Sequence, residues 1–326
     1  MAAFAHEYRA PPGWSVDGLA LHQTGDAGLI ACVRSRLDGD DWVGALDLLR
    51  ADTLEATASV VLECGAADVA WADGVIVVAR DDGCLGFYDR QTAAAVAAPV
   101  VAHAGAVRAV TRVTDASCAS TGDDGVVRRW DLREGQQLVH EHHGHTDACL
   151  AVTLLQETNS ETPWCGADTI ASGGRDGTVR IWDGRSPRAA AIRTFNSDVR
   201  SLTVMSDGER SGGVESLILV GLGDGTLMRW DTRQATDGPH ASCEWHRFAP
   251  GAGAGALAEF YNLGEPLTGK YAAGSDDGSI QIVSRNGSGD KRTIEGHTDY
   301  CNALCWTDAS TLVSGGRDGV VRSWKV

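Results

Sequence analysis

The stretch ASGGRDGTVRIWD, residues 171–183, decides the fold of this chain. It begins as a short apolar segment, turns at Asp176-Gly177, and continues as alternating β-branched and polar residues that end in Trp182. An Asp-Gly pair between two such segments predicts a β-hairpin, because glycine accepts the positive φ that a tight hairpin turn requires. The same unit recurs as ASTGDDGVVRRWD (119–131), LVGLGDGTLMRWD (219–231) and VSGGRDGVVRSW (313–324).

Weaker copies of this unit fill the intervals between the strong ones. VARDDGCLGFYD (78–89) and AGSDDGSIQIVS (273–284) keep the turn, whereas DWVGALDLL (41–49) keeps only Gly44. The positions that match the tryptophan form one series with spacings of 39 to 53 residues: Leu49, Tyr88, Trp130, Trp182, Trp230, Val283 and Trp324. A four-stranded propeller blade takes about 40–45 residues, and the chain shows no helical periodicity. Seven copies therefore predict an all-β, seven-bladed β-propeller.

The two ends of the chain are predicted to meet in one blade. The last copy stops at Trp324-Lys325-Val326 and lacks an outer strand, which the segment Phe4–Arg9 can supply. Such closure protects the edges of the sheet. We expect one domain, residues 1–326. Its predicted blades are residues 14–63, 64–101, 102–141, 145–195, 197–247, 254–294 and 297–326, the last completed by an N-terminal strand at residues 4–10.

A histidine precedes three of the copies, in AHAGAV (His103), GHTDAC (His145) and GHTDYC (His297). With this feature the chain resembles the WD-repeat (WD40) propellers over essentially its whole length. In that family a His, a Ser or Thr, an Asp and a Trp form a buried, hydrogen-bonded tetrad within a blade. The resemblance implies three complete tetrads: His103/Ser120/Asp124/Trp130, His145/Ser172/Asp176/Trp182 and His297/Ser314/Asp318/Trp324. Three other blades keep Asp82, Asp224 and Asp277 but have Val78, Val220 and Ala273 in the serine position, and the first blade keeps no part of the tetrad.

Three patterns suggest chemistry and have simpler structural explanations. The Ser, His and Asp recur at fixed places in the repeat, which is typical of a brace, whereas a nucleophilic serine must be exposed beside an oxyanion site. The run His140-Glu141-His142-His143 has metal-ligand residue types, but in a strand His140 and His142 face one side and His143 the other, so the three cannot converge on one ion. GAGAGALAEF (251–260) lacks the strand–turn–helix context of a dinucleotide site. We therefore expect no catalytic residue, no cofactor and no metal.

Composition limits the class of partner and the compartment. The formal net charge of −16 disfavours direct nucleic-acid binding and favours either solubility or basic partners. No run of 18 apolar residues and no secretory signal occurs, so we expect no membrane association. The nine cysteines include no C-x-x-C pair, which argues against a disulfide framework and a zinc site. We expect a cytoplasmic or nuclear protein in which the sequon Asn286-Gly287-Ser288 is a chance match.

Acidic side chains concentrate at the predicted hairpin turns. The Asp-Gly turns would place six of them on one rim of the disc: Asp81, Asp82, Asp123, Asp124, Asp276 and Asp277. Aspartate is a good turn former, so this arrangement has a structural explanation. Its functional alternative is a rim that receives a basic protein tail.

The most unusual local feature is the first hairpin, SRLDGDDWVGALDLL (35–49). It is predicted to place Trp42 at the tip of a loop, outside the strands and bracketed by Asp38, Asp40 and Asp41. An exposed tryptophan is typical of interface hot spots, and packing back onto its own blade is the alternative. We predict that Trp42 and these three aspartates bind a protein partner.

The first two blades are similar to the WD-repeat subunit of the methylosome, which partners the type II protein arginine methyltransferase. The similarity is carried by Trp42, Gly44 and Leu46, by GAADVAW (65–71) and by VIVVARDDGCLGFYD (75–89). It implies that Trp42 anchors a protein arginine methyltransferase and that the propeller presents histones or other Arg-rich, basic substrate proteins. The main expectation is a non-catalytic scaffold of such a complex. The alternative is a general adaptor, such as a ubiquitin-ligase substrate receptor, a trafficking component or a histone-tail reader.

Overall fold

The computed structural model describes residues 4–23, 28–72, 74–133, 135–155, 168–205, 217–232, 242–248, 252–260, 270–284 and 291–326. All regular secondary structure in these ranges is β-strand, in 28 strands. None of the described residues forms a helix long and apolar enough to cross a membrane. Cys165 and the sequon at Asn286 lie outside the described residues.

The strands form seven four-stranded antiparallel sheets, one per blade. Blade 1 contains β2 (Ser15–His22), β3 (Leu29–Asp38), β4 (Asp41–Arg50) and β5 (Ala56–Leu62). Blade 2 contains β6 (Ala66–Ala72), β7 (Val75–Arg80), β8 (Cys84–Asp89) and β9 (Ala95–Val101). Blade 3 contains β10 (Val107–Thr114), β11 (Ser117–Gly122), β12 (Val126–Asp131) and β13 (Gln137–His143). Blade 4 contains β14 (Cys149–Leu155), β15 (Thr169–Gly174), β16 (Thr178–Trp182) and β17 (Ala191–Thr194).

The remaining three sheets have the same order from the inner to the outer strand. Blade 5 contains β18 (Val199–Met205), β19 (Leu217–Leu222), β20 (Thr226–Asp231) and β21 (Ser242–Arg247). Blade 6 contains β22 (Ala254–Phe260), β23 (Lys270–Ser275), β24 (Ser279–Ser284) and β25 (Lys291–Glu295). Blade 7 contains β26 (Cys301–Asp308), β27 (Thr311–Gly316), β28 (Val320–Lys325) and β1 (Phe4–Arg9). The first strands of neighbouring blades contact each other around a closed ring.

The N-terminal strand completes the last blade, so the predicted seven-bladed fold and its closure are both confirmed. Strand β1 pairs antiparallel with β28 from Phe4 opposite Trp324 to Arg9 opposite Val320. The Phe4 ring meets the Trp324 ring edge-on at 6.0 Å between centroids. Strand β1 continues in the chain into β2 of blade 1, so its hydrogen bonds to β28 fasten the last blade to the first.

The repeat has the geometry that its sequence predicts. In blade 4, Trp182 lies opposite Ile170 on the neighbouring strand, and Gly177 in the turn has a φ of 73°. Glycine carries this left-handed conformation without the steric cost that a Cβ atom imposes. Both Trp182 and Ile170 are buried, and the apolar core is divided among the contacts between adjacent blades. Each blade therefore depends on its neighbour to cover its hydrophobic face.

The first hairpin differs from its prediction. Strands β3 and β4 have 10 residues each, and Trp42 is the second residue of β4 and not part of a loop. It lies directly opposite Leu37 across the sheet, and the turn consists of Gly39 and Asp40. The prediction of a loop position was wrong because continued cross-strand pairing outweighs the turn preference of the surrounding aspartates and glycine.

Candidate functional site

Three blades contain the buried chain of side chains that the sequence places together. In blade 7 the indole Nε1–H of Trp324 donates to Ser314 Oγ at 2.8 Å, and Ser314 Oγ lies 2.8 Å from His297 Nε2. The other ring nitrogen, Nδ1, lies 2.9 Å from Asp318 Oδ1. The order of donors is then Trp to Ser, Ser to His and His to Asp, with the histidine proton on Nδ1.

The other two tetrads have the same geometry. Trp130 and Trp182 donate to Ser120 and Ser172 at 2.9 and 2.7 Å, and each serine lies 2.8 Å from its histidine, His103 or His145. The histidine–aspartate distances are 2.8 Å to Asp124 and 3.0 Å to Asp176. All three serines are fully buried. A substrate therefore cannot reach their hydroxyls, and the tetrads serve as internal braces.

Electrostatics favour a charged aspartate in each brace and a neutral histidine at His103 and His145. Burial opposes ionisation of Asp318, but the hydrogen bond from His297 and the backbone N–H of Thr298 lower its pKa to about 2. Burial lowers the pKa of His103, against the opposing hydrogen bond to Asp124. A neutral histidine that donates to a charged carboxylate is the arrangement that the donor order requires.

The first blade has a different polar network in place of the tetrad. Cys32 occupies the serine position and is fully buried. The buried Asp47 carboxylate accepts hydrogen bonds from the Arg34 guanidinium, from the Ser59 hydroxyl and, at 2.8 Å, from the Tyr8 hydroxyl. Tyr8 belongs to β1, so this network ties the closing strand to blade 1. Sequence analysis missed it because Tyr8 and Asp47 lie 39 residues apart and outside the repeat signature.

The histidine run is part of the joint between blades 3 and 4. Only 1% of His142 is exposed, and its ring stacks on Trp182 with 5.1 Å between centroids. The ring of His140 also stacks on His142, with 6.2 Å between centroids, whereas His143 is exposed. Among the described residues, no group of three or more His, Cys, Asp or Glu side chains is arranged to hold a metal. Stacking between the blades accounts for the position of His142 without a metal.

Most of the acidic rim is engaged within the protein. Asp82, Asp124 and Asp277 accept the backbone N–H two residues ahead at 2.9–3.1 Å, which stabilises the hairpin turns. Asp123 makes two bonds of 2.7 Å to Arg108, and Asp276 accepts a 2.7 Å bond from Arg200. Asp81 is the exception among the six rim aspartates. Within the described part of the chain, no donor hydrogen-bonds to its carboxylate.

Trp42 projects beside this rim at the end of the first hairpin. It is 47% exposed, and its cross-strand partner Leu37 is 57% exposed. The aspartates that bracket them, Asp38, Asp40 and Asp41, are exposed as well, and Asp38 forms a 2.9 Å ion pair with Arg36. The hairpin therefore presents two adjacent apolar side chains to solvent with acidic residues around them.

One side of Trp42 forms the wall of a basin at the mouth of the central channel. The basin has a volume of about 620 Å³, and the walls relevant to binding are formed by Trp42, Asp17, Asp81, Tyr300 and Arg317. The channel continues below it, lined by the first strands of all seven blades. Sequence analysis did not identify Asp17 or Tyr300, because the repeat signature does not include the start of the innermost strand.

Two carboxyl groups give the basin an unusual electrostatic character. Burial raises the pKa of Asp17 to about 7, although the Ser35 and Ser15 hydroxyls both donate to it and oppose this change. Burial also raises the pKa of Asp81, against the attraction of Arg108. A cation in the basin would favour ionisation of both groups. The site therefore combines an aromatic wall with carboxylates whose charge the described residues do not neutralise directly.

Comparison with known proteins supports the fold. The family model for the WD domain, G-beta repeat, matches residues 136–183 and 289–325. Human WD repeat-containing protein 41 is 35% identical over 107 residues, which cover 32% of this chain and 22% of that protein. The β subunit of the guanine nucleotide-binding protein of Saccharomyces cerevisiae is 33% identical, with the same coverage of 32% and 22%.

A longer match extends over most of the propeller. The ribosome biogenesis protein WDR12 homolog of Chlamydomonas reinhardtii is 24% identical over 88% of this chain and 76% of its own length. The matches to the human and yeast proteins, by contrast, span about a fifth of those proteins. Together with the seven sheets, these matches give the fold class as a seven-bladed β-propeller that contains WD40 repeats.

Proposed function

We propose that this WD40-repeat propeller is a non-catalytic adaptor that holds a protein partner on the face around Trp42. The observation that carries the proposal is the exposed cross-strand pair Leu37 and Trp42, which projects beside the channel mouth. Large aromatic side chains that remain exposed are concentrated in interface hot spots, where their burial contributes much of the binding energy. The surrounding exposed aspartates would form a polar rim around an apolar centre, as in typical interfaces.

The adaptor proposal is tested by stoichiometric co-purification from the native extract. We expect a partner that co-elutes with the tagged wild-type protein and is lost with Trp42→Ala, because removal of a hot-spot aromatic costs about 2 kcal/mol or more of binding free energy. Val101→Ala is the matched control, since Val101 is an exposed apolar side chain on the outer strand of blade 2. Unchanged partner recovery with Trp42→Ala would exclude this face as the binding site.

A protein arginine methyltransferase is the more specific candidate partner. It is supported by the similarity of the first two blades to the methylosome subunit. That similarity implies that Trp42 anchors the methyltransferase, and Trp42 is exposed. The relatives reported above are named for a G protein, for ribosome biogenesis or only for their WD repeats, which fits a general adaptor better. Direct binding of the purified methyltransferase, with its loss in Trp42→Ala, distinguishes the two. A ubiquitin-ligase, trafficking or histone partner in the eluate would instead support the general adaptor.

The absence of catalysis and the compartment are parts of the same proposal. The serines of the three tetrads are buried, so the recurring Ser-His-Asp sets do not offer a nucleophile. Purified protein that turned over a substrate without a partner would overturn the non-catalytic assignment.

We place the adaptor in the cytoplasm or nucleus, where thiols stay reduced, because the seven described cysteines are all unpaired.

A further inference from the structure

The channel mouth holds two carboxylates to which no cationic side chain of the described residues hydrogen-bonds, although Arg108 attracts Asp81 at longer range. Asp17 accepts hydrogen bonds from the hydroxyls of Ser15 and Ser35 and from the Ser35 backbone N–H, all of them uncharged donors. The Asp81 carboxylate receives none from the described residues, although its own backbone N–H is bonded to Gly65 O at 2.9 Å. Buried carboxylates are ordinarily paired or fully hydrogen-bonded, because removal of a charge from water is costly. The charge of these two groups is therefore only partly compensated by the described residues.

The local backbone brings the Asp81 carboxylate close to the base of the Trp42 side chain. Gly65 lies between them: a Cβ atom at this glycine would lie 2.1 Å from Asp81 Oδ2 and 3.4 Å from Trp42 Cβ. Any side chain at position 65 would displace the carboxylate. The glycine thus allows an aromatic surface and a carboxylate to line the same part of the basin, and both attract a guanidinium group.

The cations that already line the basin are occupied elsewhere. Arg108 makes two bonds of 2.7 Å to Asp123, outside the basin wall. Arg317 lies over the Tyr300 ring, with the guanidinium carbon 5.4 Å from its centroid, on the side of blade 7. Neither arginine hydrogen-bonds to Asp17 or Asp81. The basin therefore combines Trp42 and two carboxylates with a separate pair, Tyr300 and Arg317, in which an arginine already lies over an aromatic ring.

We propose that the basin receives an arginine side chain from the bound partner, with the guanidinium between the Trp42 indole and the carboxylates of Asp81 and Asp17. The inference rests on the proposed adaptor function and adds the chemistry that the partner must carry at the contact. Arginine fits better than lysine because its planar group stacks on an aromatic ring, binds carboxylates through two N–H groups and is more weakly hydrated.

The test uses the full chain and three short peptides: acetyl-Gly-Arg-Gly-amide and its lysine and citrulline counterparts. Binding is followed by NMR through the indole N–H signal of Trp42, which a Trp42→Phe variant assigns. We expect the arginine peptide to shift this signal, the lysine peptide to bind more weakly and the uncharged citrulline peptide to give no shift. Asp81→Asn should weaken arginine binding by about tenfold or more, as expected for a charge-assisted hydrogen bond.

Asp115→Asn is the matched control. It also removes one negative charge, but in the exposed turn between β10 and β11 of blade 3, which does not line the basin. We expect this variant to leave the affinity unchanged. Equal shifts with arginine and citrulline, no shift of the Trp42 signal, or equal weakening by Asp81→Asn and Asp115→Asn would each overturn the proposal. If the partner is lost with Trp42→Ala but the arginine peptide gives no shift, the adaptor function stands and the arginine site fails.

The pH dependence of peptide binding is a second readout. Because burial raises the pKa of Asp17 to about 7, the ionised fraction of this carboxyl increases as the pH rises through 7. A cation binds the ionised form more strongly than the neutral form. The charged or titratable groups that share the basin are Asp81, Arg108, Tyr300 and Arg317. We expect arginine affinity to increase as the pH rises through about 7 and this increase to be reduced in Asp17→Asn. An identical pH profile in Asp17→Asn would exclude a role for this carboxyl.

Discussion

Replacement of His142 by phenylalanine should make the protein less sensitive to acid. His142 is buried between Trp182 and His140 at the joint of blades 3 and 4, and among the described residues neither ring nitrogen has a hydrogen-bond partner. Burial lowers the pKa of His142 from 6.5 to about 4, with smaller contributions from Arg129, His140 and His143. Phenylalanine retains the aromatic stacking on Trp182 and has no proton to bind.

The magnitude follows from linkage between proton binding and folding. The folded pKa lies below the unfolded one, so the unfolded state binds more protons and stability falls as the pH falls below 6.5. The gap between 6.5 and about 4 corresponds to about 3 kcal/mol when protonation of the unfolded state is complete. Between pH 7 and pH 5 the contribution of His142 to this loss is about 2 kcal/mol.

The assay is urea unfolding of wild type and His142→Phe at pH 7, 6 and 5. We expect the wild type to lose about 2 kcal/mol more than the variant between pH 7 and pH 5. His143→Phe is the control, because His143 is an exposed neighbour on the same strand, and its pH profile should follow that of the wild type. Parallel profiles for wild type and His142→Phe would refute the reasoning, since they would show that protonation at this joint costs nothing.

Two further predictions concern the braces that hold the blades. Ser314→Ala should destabilise the protein by about 2 kcal/mol or more, because the hydroxyl that accepts from Trp324 and pairs with His297 is lost inside the core. Chemical unfolding measures this effect, Ser310→Ala in the exposed turn is the control, and equal stabilities for the two variants would contradict it. Tyr8→Phe should cost about 1 kcal/mol or more and accelerate amide hydrogen exchange in the closing strand, because the bond that ties this strand to blade 1 is lost. Exchange rates equal to those of the wild type would show that the closure does not depend on this bond.

The architecture was predictable because its determinants are local and repeated. Asp-Gly turns such as the one at Gly177 and the alternation that leads to Trp182 set the hairpin, and seven copies of it set the number of blades. The serine and the aspartate keep the same distances to the tryptophan in each copy, and the resemblance to WD40 propellers assigned them, with a preceding histidine, to the three tetrads. The missing outer strand of the last copy also pointed to closure by residues 4–9, which the pairing of β1 with β28 confirms.

The candidate site depended on the tertiary structure because its residues come from separate blades. Asp17, Asp81 and Tyr300 stand at unrelated places in the sequence and meet only when the ring closes around the channel. Burial in the folded ring raises the pKa of Asp17. The same surroundings leave the Asp81 carboxylate without a hydrogen-bond donor among the described residues. The exposure of Trp42 likewise depends on where the longer first hairpin ends relative to its neighbours. Sequence alone determined the repeat and its braces through local pairing, whereas ring closure decided which side chains share one solvent-facing basin.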